Sequence, residues 1–86
     1  MRMLIEDVYT QKLRRDVVTW KELNNVSLAK IAKAIGTKSR SFVWEFLHGY
    51  KTINYEYGYL LSRLIEFNGK DWETDFQKAV AIRKRS

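Results

Sequence analysis

The clearest pattern along the chain lies between Ser27 and Gly49, where Leu28, Ile31, Ala32 and Ile35 recur at i, i+3, i+4 and i+7. That spacing places four apolar side chains on one stripe of a helix and leaves Lys30 and Lys33 outside it. Ser27 has the short acceptor that satisfies free N–H groups at a helix start, with Val26 before it as a staple partner for Ile31. Gly36 supplies a left-handed stop. After a short polar turn, Ser39 caps a second helix whose buried side is Phe42, Val43, Phe46 and Leu47 and whose end is Gly49. The opposite face carries Arg40, Ser41, Trp44, Glu45 and His48. Ala32 is small enough to sit where the two helices cross closely. Two such short helices cannot bury a core alone, so the flanking segments must cover them.

Those segments are also periodic. Ile5, Tyr9, Leu13, Val17 and Trp20 repeat every three or four residues, with Leu4 and Val8 broadening the stripe, which predicts a helix over residues 2–23. Arg14, Arg15, Lys21 and Glu22 fall off that stripe. Asn24 and Asn25 end it, since short amides tolerate left-handed geometry. Beyond Gly49, Ile53, Tyr55, Tyr57 and Tyr59 alternate as in a strand, and a β-wing competes with a helix there. No second alternating run exists to pair with such a strand, so Asn54 reads as a cap and a helix follows to Phe67, burying Leu60, Leu61, Leu64 and Ile65. Gly58 inside that helix costs on the order of 1 kcal/mol relative to alanine. Asn68 and Gly69 close it. Asp71 opens a last helix with Trp72, Phe76, Ala79 and Val80 on its apolar side. Glu73 and Asp75 lie near its positive end, and Arg83, Lys84 and Arg85 near its negative end. The expectation is one all-α domain of five helices over residues 1–86.

Composition narrows the class of function. The chain has 86 residues, 14% of them aromatic, enough for a compact core but little to spare. It has no cysteine, which excludes disulfides and thiolate metal sites and fits a reducing cytoplasm. No apolar run approaches the roughly 18 to 20 residues that span a bilayer, and acids come too early for a signal peptide, so the expectation is a cytoplasmic protein without membrane association. One histidine, no glycine-rich phosphate loop and no nucleophile beside a base argue against an enzyme, and no cofactor is expected. The net charge is +6 with a pI near 9.7, which favours a polyanionic partner. Residues 27–52 hold Lys30, Lys33, Lys38, Arg40 and Lys51 against Glu45 alone, so five cations less one acid give +4 of the +6.

The stretch SLAKIAKAIGTKSRSFVWEFLHGYKTI resembles the helix-turn-helix of the lambda repressor and Cro family. Ala32 and Gly36 match that family's alanine and glycine, and Val43, Phe46, Leu47 and Gly49 match the apolar positions and terminal glycine of its recognition helix. The likeness covers residues 27–66. The chain is also similar to the N-terminal DNA-binding domain of the arbitrium receptors of Bacillus phages, which has a comparable turn and a following Gly-Lys-Thr segment. Two departures stand out. The interval from Gly36 to Val43 is one residue longer than in most family members, and Leu28 stands where the family usually has a phosphate-clamping glutamine.

The resemblance implies a lambda-repressor-like fold and a sequence-specific regulator of a phage or mobile element, binding double-stranded DNA as a homodimer. It puts Arg40, Ser41, Trp44 and Glu45 against base edges in the major groove, with Arg40 bidentate to a guanine. It puts Ser27, Lys33, Lys38, Ser39, Lys51 and Asn54 on phosphates, where they position the protein without reading sequence. Glu45 accepts from a cytosine amino group, orients Arg40, or points away from phosphate. Trp44 touches a thymine methyl or sugar, packs against the first helix, or serves a protein partner. His48, often asparagine in the family, reads as a surface or packing histidine. A rival reading is a protein-interaction module of the same fold that modulates another repressor, suggested by Trp44, Tyr50, Tyr55 and Tyr57 as solvent-facing aromatics. A dimer through the last helix, using Trp72, Phe76, Val80 and Ile82, is a third and compatible expectation.

Overall fold

The computed structural model describes the backbone of residues 8–85 and the side chains of residues 8–81. All regular structure in that span is helical: α1 (Val8–Leu23), α2 (Leu28–Ile35), α3 (Arg40–Leu47), α4 (Tyr55–Leu64) and α5 (Trp72–Arg85). No β-wing forms, because residues 55–64 of the ambiguous tyrosine-rich segment are helical. The expected start of the first helix at residue 2, with Leu4 and Ile5, lies outside the described residues, as do the side chains of Ile82, Arg83, Lys84 and Arg85.

Caps explain where the helices begin. Ser27 Oγ accepts from the Lys30 N–H at 3.2 Å, Ser39 Oγ from the Phe42 N–H at 3.0 Å, and Asn54 Oδ1 from the Tyr57 N–H at 2.8 Å. Each satisfies one of the donors a helix start leaves free. The ends follow from left-handed residues: Gly36 at φ 83° after α2, Gly49 at φ 83° after α3, and Asn25 at φ 52° after α1. α4 stops three residues earlier than Phe67. Glu66 and Phe67 donate to Arg63 and Leu64, three residues back, and this tighter winding leaves the Phe67 carbonyl to accept from Trp20 Nε1 at 2.7 Å.

α2 packs on α3, α1 packs on both α3 and α4, and α2 also meets α4 and α5. Between them lies one core of Leu13, Val17, Trp20, Val26, Ile31, Ala32, Ile35, Val43, Phe46, Leu61, Leu64, Trp72 and Phe76. Leu28, Phe42, Leu47, Leu60, Ile65 and Val80 pack against its edge as half-buried residues. Trp20 and Trp72 meet edge to face at 5.0 Å, and Asn24 bridges the α1 end to Asn68 and to the Gly69 N–H.

Three expectations about apolar faces are corrected. Val8 and Tyr9 are exposed rather than on the buried stripe. The buried residues of α1 are Leu13, Val17 and Trp20, all beyond its first described turn. Trp72 and Phe76, at 6% and 1% exposure, are consumed by the chain's own core and offer nothing to a dimer. Tyr57 is not solvent-facing but packs on Phe42, ring centroids 5.7 Å apart. No helix among the described residues is long and apolar enough to cross a membrane.

Candidate nucleic-acid interface

The turn between α2 and α3 is four residues, Gly36 to Ser39. It is tightly held. The Gly36 and Thr37 N–H groups donate to Lys33 and Ala32 carbonyls, and the Ser39 N–H donates to Thr37 Oγ1 at 3.1 Å. These bonds define the path of the turn from the end of α2 to the start of α3. Ala32, buried at their crossing, lines a shallow groove together with Ala29, Lys33, Lys38, Ser39, Arg40 and Ser41.

Five of the ten expected contact residues are thus gathered on one concave surface at the α3 N-terminus. Lys33, Lys38, Ser39, Arg40 and Ser41 are all exposed, and neither Arg40 nor either lysine forms an ion pair among the described residues. Uncompensated cations around a helix N-terminus attract an anion from two directions, through the side chains and through the dipole.

The other five lie elsewhere. Ser27 and Asn54 are exposed caps of α2 and α4. Glu45 does not orient Arg40; its carboxylate faces Lys51 Nζ at 3.8 Å, past the end of α3, because residues five apart on a helix point to different sides. The Lys51 charge is accordingly partly compensated. Trp44 is 42% exposed. Its ring stacks on His48, centroids 4.0 Å apart and planes 20° apart, with Tyr50 at 5.8 Å. The i, i+4 spacing of two aromatic rings is visible in the sequence and permits this stack without specifying it.

Arg14 is a residue that pattern reading places merely off the α1 stripe. Its Nε donates to the Phe46 carbonyl and its Nη2 to the Lys51 carbonyl at 3.3 Å, while its guanidinium lies over the Phe46 ring at 4.9 Å. It therefore ties the C-terminal turn of α3 to α1. The partner is 32 residues away and is a backbone oxygen, so no residue type at any spacing betrays the contact.

No protein-family model, curated protein or solved structure matches the chain.

Proposed function

We propose that the protein is a sequence-specific, double-stranded DNA-binding transcriptional regulator with a lambda-repressor-like fold, inserting α3 into the major groove. The observation that carries this reading is the groove at the start of α3, where Lys33, Lys38 and Arg40 stand exposed and unpaired beside two helix-capping elements. The major groove is about 12 Å wide and admits one helix. Arg40, in the first turn of α3, reaches base edges, and its guanidinium matches guanine O6 and N7. Ser41 and Trp44 follow on the exposed face. Lys33, Lys38, Ser27, Ser39 and Asn54 meet phosphates on either side, and Lys51 does so only by leaving Glu45. The chain works as a homodimer on a two-fold site, by a surface other than Trp72 and Phe76, and carries no cofactor and no catalytic role.

Selection of bound duplexes from a random pool tests this. A two-fold-symmetric sequence containing a guanine in each half-site is expected, and Arg40→Ala removes the preference at that guanine, by about 1 to 3 kcal/mol. A pool that shows no enrichment contradicts the reading.

One observation favours a second reading. Trp44, Tyr50 and Tyr55 are exposed aromatics, at 42%, 43% and 86%, and such residues are enriched at protein interfaces. A module of the same fold that grips another repressor would use them. Copurification with a regulator, combined with no duplex binding at low salt, identifies that case.

A further inference from the structure

The exposed face of α3 carries Arg40, Trp44 and His48 at four-residue steps. Each step rises about 6 Å along a helix, or nearly two base pairs at about 3.4 Å each. The middle residue combines exposure with order. Trp44 is held face to face with the His48 imidazole at 4.0 Å, and that imidazole is itself anchored by Nδ1 on the Trp44 carbonyl at 2.9 Å. A carbonyl only accepts, so Nδ1 carries the proton and the ring is fixed by one hydrogen bond and one stacked face. An indole already ordered in the free protein loses little side-chain freedom on binding.

Charge divides α3 along its length into two halves, with Glu45 and Lys51 standing to one side of the Arg40 face. Around Arg40 the cations are uncompensated, whereas beyond Trp44 the acid Glu45 offsets Lys51. The second half therefore offers an apolar plate rather than a phosphate ligand. Among the features by which major-groove base edges differ, the apolar one is the thymine C5-methyl group.

Resting on the DNA-binding reading above, we propose that Trp44 is a specificity-determining residue that packs against a thymine methyl about two base pairs from the base met by Arg40. His48 is the positioning residue that holds the indole plane.

The test starts from a selected operator and replaces each thymine in turn by deoxyuridine, which deletes the methyl and keeps every hydrogen-bonding group. One position in each half-site is expected to lose about fourfold in affinity, the effect of one buried methyl group. Trp44→Ala and His48→Ala abolish that penalty, whereas His48→Phe, which keeps a stacking ring, preserves it. Both sites are exposed, so thermal unfolding midpoints stay at the wild-type value; a merely structural role would move them and leave the deoxyuridine pattern intact. Operator binding that is indifferent to every deoxyuridine overturns the Trp44 assignment and leaves the DNA-binding reading standing, while absence of any duplex binding overturns both. Trp44→Ala that keeps the full deoxyuridine pattern but loses capture of a second regulator makes the aromatic cluster a protein contact, and also overturns the proposal.

Discussion

Gly36 and Gly58 show how one residue type takes opposite roles in the same chain. Gly36 sits at φ 83° with open space where a Cβ would go, so its requirement is conformational alone. Gly58 lies inside α4, and a Cβ there would meet Ile53 Cγ2 at 3.6 Å and Leu13 Cδ2 at 3.9 Å, ordinary contact distances. Gly58→Ala is therefore expected to raise stability by about 0.5 to 1 kcal/mol through helix propensity and added contact. Gly36→Ala lowers it by about 1 to 2 kcal/mol through left-handed strain. Denaturant unfolding of the two variants checks both signs; a stabilising Gly36→Ala would remove the left-handed stop from the account. At this scale the sequence was readable wherever the chemistry is local. Ser27, Ser39 and Asn54 bond to N–H groups three residues ahead, as short acceptors at helix starts do. Arg14 was not readable, because its partners are carbonyls 32 and 37 residues away.

Between elements, α3 is held from two sides: α2 through the Gly36–Ser39 turn and α1 through the Arg14 fork. Arg14→Met keeps much of the packing over Phe46 but removes both donors. It is expected to cost about 1 to 3 kcal/mol in a denaturant melt, the range for a carbonyl deprived of a charged donor. Arg14→Lys recovers little, since a single ammonium does not reproduce the planar fork. Wild-type stability in Arg14→Met would show that the carbonyls find other partners. Periodicity identified the five helices and the inner faces of α2 and α3, because apolar spacing and caps agree there. It misplaced the α4 end and the Val8 and Tyr9 turn. Those depend on tertiary placement, such as where Trp20 finds an acceptor, which no local pattern contains.

For the whole molecule, the net positive charge is concentrated by scarcity of acids: residues 27–52 hold five cations against Glu45 alone, +4 of the +6, and Lys33, Lys38 and Arg40 share one groove. The candidate site was legible as a set of residues on two capped helices. The Trp44–His48 stack and the Glu45–Lys51 pair were not, because each is a choice of rotamer among several that the spacing allows. The most direct test of the central claim is the salt dependence of duplex affinity, measured for the wild-type chain and for a Lys33→Ala, Lys38→Ala, Arg40→Ala triple variant. Neutralising about six phosphates predicts a log–log slope near −5 for the wild type. Removing the two phosphate-contacting lysines makes it shallower by about 2 for each chain bound, while the loss of Arg40 falls on base preference. A wild-type slope near zero, or a triple variant that binds with the same slope as the wild type, contradicts a cationic α3 groove seated on DNA.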